Sequence, residues 1–196
     1  MPAGDVVTSD ESGLIRNCIS GDERSCRLFV QKYQRLVFAI CLRILGQRQD
    51  AEDAAQDIFL RIFRALDRWE PGRPLKPWLT TIAVNRCRTL LKKRQSESSR
   101  VRSVREVIEF CSPAATAADL AMAEELELAL SKLRREYRLC FELYYRDEYS
   151  CVEIAEILDR PVNTVKTWLH RARRELADLL SRRGIAEEEG YVSVAS

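Results

Sequence analysis

Wherever this chain has a pattern of apolar residues, the interval is three or four, and nowhere is it two. Phe29, Tyr33, Leu36/Val37, Ile40 and Ile44 fall on one face of a helix. Ile58, Phe59, Ile62, Phe63 and Leu66 mark a second helix, and Leu79, Ile82, Ala83 and Leu90 a third. A half-buried strand would need side chains to alternate between two faces, and no stretch supplies that. The fold class is therefore expected to be all-α. Gly46 is placed to end the first helix and Asp50 to cap the next. The Trp69-Glu70-Pro71-Gly72-Arg73-Pro74 segment breaks the pattern. The third helix is expected from near Pro77 and Trp78 into Lys92-Lys93-Arg94.

Residues 95–120 are rich in Ser, Ala and Arg, contain Pro113, and leave room for one short helix from Val104 to Phe110. They read as a flexible linker. The expected organisation is a helical domain over 24–95, a linker over 96–120 and a second helical domain over 121–183. The tail from Gly184 to Ser196 is too short for a further domain. Domains this small bury little surface and are marginal alone, which suits docking on a larger partner.

Composition narrows the function. Lys+Arg (32) nearly balances Asp+Glu (30), so the distribution of charge matters more than its sum. Residues 1–13 lack the basic start and apolar run of a secretory signal, and no run of ~20 apolar residues could span a membrane. A cytoplasmic protein without membrane insertion is expected. The chain has 7 cysteines, no Cys-x-x-Cys pair and a single histidine, His170. A zinc site is thus not expected, nor any other metal or cofactor, and the thiols read as small core residues in a reducing compartment.

The most informative stretch runs from Ser150 to Leu180. Ser150-Cys151-Val152-Glu153 fits a capping box. Ile154, Ala155 and Leu158 face inward from the short helix it opens, with Ala155 small enough for a close helix crossing. The turn Asp159-Arg160-Pro161-Val162 follows, and Asn163 or a neighbour caps a second helix. Val165, Leu169, Ala172, Leu176 and Leu179 give that helix one buried stripe. Its opposite face carries Lys166, Thr167, His170, Arg171, Arg173 and Arg174. An ordinary bundle helix could solvate such a face. Capping box, small residue, turn and basic face together fit a helix-turn-helix whose second helix enters the major groove. There Arg and Lys can donate to guanine O6 and N7.

Charge is segregated upstream as well. Residues 50–57 hold four carboxylates and no base, whereas residues 85–105 hold eight Lys/Arg against Glu97 alone. Part of the acidic charge suits a helix N-terminus; a basic partner surface accounts for the remainder. Trp69 and Trp78 flank the proline-glycine loop. Either ring could close a small core or stack on an unpaired base. Trp78 fits the core role better, and for Trp69 both remain open.

Three segments resemble the extracytoplasmic-function (ECF) sigma factors of the sigma-70 family. Glu153 to Leu176, EIAEILDRPVNTVKTWLHRARREL, is similar to their region 4. Asp50 to Phe63, DAEDAAQDIFLRIF, and Pro71 to Asn85, PGRPLKPWLTTIAVN, are similar to their region 2. The resemblance implies a non-enzymatic factor that binds core RNA polymerase and directs it to promoter DNA. Asp50, Glu52, Asp53, Gln56 and Asp57 would dock on the clamp helices of the largest polymerase subunit. The loop from Trp69 to Lys76, Arg73 included, would pocket a base flipped from the minus-ten element, with Asn85 and Arg86 beside it. Lys166, Thr167, His170 and Arg171 would read the minus-thirty-five element, with Thr164, Arg173 and Arg174 on phosphates. The linker would thread toward the polymerase active-site channel. An anti-sigma factor is a further partner that the resemblance implies for many members.

Asp159 and Asn163 depart from the family by standing where glycine is usual, although both residue types tolerate left-handed or capping geometry. Trp168 replaces a more usual polar residue and would either pack on the first helix of its module or lie along DNA. Two rivals use fewer of these features. A stand-alone helix-turn-helix regulator leaves residues 50–94 without a purpose. A metal-dependent hydrolase built on Asp50, Glu52, Asp53 and Asp57 lacks the companion residues of a complete site.

Overall fold

The computed structural model describes residues 9–97 and 117–183. Most of the expected linker, with the short helix at Val104 to Phe110, and the tail from Gly184 lie outside the described residues. Regular structure among the described residues is entirely helical, and the chain divides into two compact units.

The first unit contains α1 (Ser9–Ile19), α2 (Glu23–Leu45), α3 (Arg48–Ala65), a 3-10 turn (Leu66–Arg68) and α4 (Leu75–Glu97). Asp22 caps α2 by accepting from the Ser25 N–H at 2.8 Å. Gly46 ends it in the left-handed conformation, φ 79°, its N–H donating to the Leu42 carbonyl. Phe29, Tyr33, Val37 and Ile40 of α2, Ile58 and Ile62 of α3, and Leu79, Ala83 and Val84 of α4 are buried. The three helices pack pairwise, and α1 lies against α2. α1 precedes the boundary expected at residue 24. It buries Ile15 and Cys18, and its Glu11 accepts from Lys32 Nζ at 2.7 Å and from the Tyr33 hydroxyl.

The start of α3 differs from expectation. Gln47 occupies the cap position without a side-chain bond, and Asp50 sits one turn inside the helix. There Asp50 forms an ion pair with Arg94 of α4. A second pair, Arg86 Nε to Asp57 Oδ2 at 2.5 Å, joins the same helices, and Arg61 donates to Asp57 at 2.8 Å. Asp50 pairs late in α4 and Asp57 two turns earlier, at its middle, so the pairs form a ladder between antiparallel helices. Partial desolvation pushes the Asp57 carboxyl up, but Arg61 and Arg86 outweigh it and hold it below the usual carboxylate range. α4 begins two residues before Pro77, which stands in the first turn where no N–H is required.

Cys41 and Cys87 place their sulfurs 3.7 Å apart in the buried interior between α2 and α4. The neighbouring thiol and burial push the Cys41 thiol far up. Burial similarly pushes Cys140 up to about 12, and burial with the neighbouring Cys26 does the same for Cys18. Thiols so protonated are poor nucleophiles, in keeping with a packing role.

The second unit contains α5 (Ala117–Lys132), α6 (Arg135–Tyr145), α7 (Cys151–Leu158) and α8 (Val162–Ser181). Ala129, Leu130 and Leu133 of α5 pack with Tyr137 of α6 and with Ala172 and Leu176 of α8. Trp168 packs on this cluster, its ring 6.5 Å from that of Tyr137. Of the two positions open to it, Trp168 therefore takes the one inside the module. Glu142 is nearly inaccessible and accepts from Arg138 Nε at 2.7 Å, while Arg138 also pairs with Glu127 of α5 at 3.3 Å.

The capping box is closed: Ser150 N–H donates to Glu153 Oε2 at 2.8 Å, and the Glu153 N–H to Ser150 Oγ at 3.3 Å. Asp159 then leaves α7 in the left-handed region, φ 52°. Arg160 N–H reaches the Ala155 carbonyl at 2.9 Å and Asp159 N–H the Glu156 carbonyl at 3.3 Å, the bond pattern of a Schellman ending. Pro161, not Asn163, stands at the cap of α8, and Asn163 lies within its first turn.

Two outcomes follow for stability. A β-carbon in the left-handed region costs about 1–2 kcal/mol, less for Asp, and a carboxylate opposes the dipole at a helix C-terminus. Asp159→Gly is expected to raise the thermal midpoint; an unchanged or lower midpoint in a melting experiment would count against this strain. Asp57→Asn is expected to cost about 0.2–1 kcal/mol at pH 7. Because the folded carboxyl lies below its unfolded value of about 3.9, the pair's contribution is whole at neutral pH and lost as pH falls below about 4. Melting curves of both proteins should converge between pH 7 and pH 3. A gap that persists at pH 3 assigns the loss to something else.

Candidate functional site

The five residues expected to meet polymerase do not form one surface. Asp50 and Asp57 lie on the shoulder of α3 that faces α4 and are engaged there by Arg94 and Arg86. Glu52, Asp53 and Gln56 are exposed. Glu52 pairs with Arg48 at 2.9 Å, between two exposed side chains. Leu60 stands among them, 58% exposed, one turn from Gln56 and two from Asp53. An apolar side chain in the middle of a polar helix face is what a docking surface needs at its centre. Sequence reasoning passed over Leu60, although its phase, opposite Ile58 and Ile62, is legible in the spacing. Three of the four carboxylates a divalent cation would require, Asp50, Glu52 and Asp57, are held by arginines. Among the described residues no group of three or more His, Cys, Asp or Glu is arranged to hold a metal.

The loop after the 3-10 turn is built on Pro71 and Gly72. Gly72 has φ 99°, and the Arg73 N–H donates to the Glu70 carbonyl at 3.2 Å, as in a type II turn with proline then glycine at its centre. Arg73 projects from it, ion-paired with Glu70 at 2.9 Å, both side chains more than two-thirds exposed. Lys76 and Asn85 are exposed, and Arg86 is half-buried against Asp57. The tryptophans depart only in part from the sequence reading, which favoured the core for Trp78 and left Trp69 open. Trp69 is buried, 6% exposed, its indole N–H without an acceptor among the described residues. Trp78 is only half-buried. Trp69 therefore closes the core, and its face is not open for stacking.

On α8 the buried stripe is Val165, Leu169, Ala172 and Leu176, with Leu179 partly buried. Lys166, Thr167, His170, Arg171 and Arg174 are exposed, whereas Thr164 and Arg173 are half-buried. The Thr167 hydroxyl donates to the Asn163 carbonyl at 2.8 Å. The two remaining arginines are tethered. Arg171 Nη1 donates to the Tyr137 hydroxyl at 3.0 Å, and Arg173 Nε to the Tyr145 hydroxyl at 2.7 Å. The Arg171 guanidinium holds the Tyr137 phenol below its ordinary value. Helical phase places Lys166, Thr167, His170 and Arg174 between the two arginines. Sequence reasoning missed the two tyrosines, since nothing local to α6 indicates which residues of α8 their hydroxyls meet.

Comparison with known proteins supplies an independent line. Residues 29–97 match the model of Sigma-70 region 2, and residues 123–176 that of Sigma-70, region 4. The chain is 30% identical over 172 residues to the ECF RNA polymerase sigma factor SigW of Bacillus subtilis, covering 83% of this chain and 92% of that one. It is 30% identical over 174 residues to the ECF RNA polymerase sigma-E factor of Escherichia coli K12, covering 83% and 90%. Among solved structures it is similar to the sigma factor RpoE of Bartonella quintana in complex with the anti-sigma factor NepR, at TM-score 0.66 and 25% identity, covering 79% and 96%. Two family regions in the family's order, across most of the length of both chains, leave one conclusion: the chain belongs to the ECF subfamily of the sigma-70 factors.

Proposed function

We propose that this sigma factor grips core RNA polymerase through the outward face of α3 and reads promoter DNA with α8 and the Trp69–Lys76 loop. The observation that carries the polymerase half is the patch of Glu52, Asp53 and Gln56 around exposed Leu60. Asp50 and Asp57 tie α3 to α4 behind that patch and do not themselves meet the partner. Domain limits of 24–95 and 121–183 serve the two tasks, with α1 bracing the first and residues 96–120 threading toward the polymerase active-site channel.

For the minus-ten element, Arg73, Lys76 and Asn85 offer exposed polar groups beside the loop. Arg86 would reach DNA only by leaving Asp57. For the minus-thirty-five element, Lys166, Thr167, His170 and Arg171 face bases, with Thr164, Arg173 and Arg174 at phosphates, where each lysine or arginine adds salt dependence. The chain carries out no catalysis of its own and works in the cytoplasm, where polymerase and promoter lie. No helix among the described residues is long and apolar enough to cross a membrane. An anti-sigma factor is a fitting partner, because the Bartonella relative was solved with one. A stand-alone regulator leaves the region 2 match without a role.

Two substitutions test the docking face. Asp53→Lys and Leu60→Glu, both at exposed positions, should preserve the melting midpoint and lower capture by purified core polymerase at least tenfold, with run-off transcription falling in parallel. Undiminished capture of both variants would move the docking surface off α3.

A further inference from the structure

We propose that Tyr137 and Tyr145 of α6, which lie outside the helix-turn-helix, are positioning residues that pre-set Arg171 and Arg173 of α8 for contact with DNA. This rests on the assignment of α8 to the upstream promoter element. The two tethers leave opposite flanks of the recognition helix and end on one short helix, eight residues apart.

Each anchor has packing partners of its own, Tyr137 in the core and Tyr145 in an aromatic group at the surface. Tyr137 is 4% exposed, packed in the core of its unit with Trp168 at a ring distance of 6.5 Å. Its hydroxyl is thus a stationary acceptor at the rim of that core. Tyr145 lies 4.5 Å from Phe141 and 4.9 Å from Tyr144, ring to ring. Arg173 rests over this group, 5.7 Å from the Tyr144 centroid and 5.6 Å from that of Tyr145, so stacking and hydrogen bond act on one guanidinium.

The tethers orient the arginines without disarming them. A guanidinium has five N–H donors, and one bond to a phenol leaves four for phosphate or a base edge. A neutral hydroxyl accepts more weakly than a phosphate anion, so it cannot hold the charge back from DNA. Arginine in solution samples many rotamers, and ordering it before binding removes that cost from the binding step. Arg171 and Arg173 therefore act as a pre-ordered pair, one at each border of the exposed set between them.

The test uses holoenzyme reconstituted from the full chain and core polymerase, with promoter duplexes randomised over the upstream element as probe. Tyr137→Phe keeps the ring and removes the hydroxyl. It should leave the melting midpoint unchanged and lower recovery of the duplexes selected by wild type roughly three- to ten-fold, the worth of one pre-ordered side chain. Tyr145→Phe should act likewise through Arg173. The decisive comparison is Tyr137→Phe in an Arg171→Ala background, where a positioning role predicts no further loss. Full additivity there, or tighter binding by Tyr137→Phe alone, overturns the proposal. If Arg171→Ala and Lys166→Ala both leave recovery unchanged, the assignment of α8 to the upstream element fails first and takes this proposal with it.

Discussion

The antiparallel seam between α3 and α4 decides what the first unit can present. One helix is acidic near its start and its neighbour is basic over its length, and Asp50–Arg94 and Asp57–Arg86 close the join. Solvent-exposed ion pairs contribute little to stability, so the importance of this ladder is in placement. It turns two carboxylates inward and leaves Glu52, Asp53, Gln56 and Leu60 outward. With the pairs in place, the acidity that remains outside surrounds an apolar centre. Exposed basic side chains stand at Lys92 on α4 and at Arg73 on the adjoining loop, the latter paired with Glu70. On the proposed reading a single small bundle offers one surface to a protein and another to a polyanion.

The second unit resolves a different tension. A recognition helix must expose a basic face while its back is fixed well enough to keep that face aimed. α8 is fixed by its apolar stripe against α5 and α6, and α6 in turn is tied to α5 by Arg138 between Glu127 and Glu142. A carboxylate as buried as Glu142 is costly unless paired and hydrogen-bonded, and Arg138 supplies both. Arg138 is held on α6 by Glu142 and reaches across to Glu127, so the charged link joins α5 to α6.

Much of this was legible in sequence because it is local. The spacing of Phe29, Tyr33, Val37 and Ile40 fixes a helix face by geometry alone, and Gly46 and the Ser150–Glu153 box announce ends through backbone chemistry. Asp159 in the left-handed region was foreseeable on the same ground, since a short polar side chain tolerates that conformation. What escaped was set by distance in space. Asp50 reads as a cap until Arg94, far along the chain, is seen beside it. In sequence Trp78 reads as the better core candidate and Trp69 as open, and only the folded chain shows Trp69 to be the more deeply buried. α1 buries Ile15 and Cys18, too short a pattern to stand out. The tyrosines of α6 share this limit, since their hydroxyl partners lie on another helix.

These arrangements distribute rigidity unevenly, and the unevenness matches the work. On α8 the flanking arginines are held by aromatic neighbours, whereas Lys166, His170 and Arg174 extend into solvent. A helix seated by fixed flanks can tolerate mobile side chains between them, because the flanks set depth and register before any base edge is met. On α3 the order is reversed. Leu60 is a single apolar anchor ringed by polar groups, and the desolvation of such a centre supplies much of an interface's strength. Capture of polymerase and reading of a short duplex are different physical tasks, and on the proposed reading α3 serves the first while α8 and the Trp69–Lys76 loop serve the second.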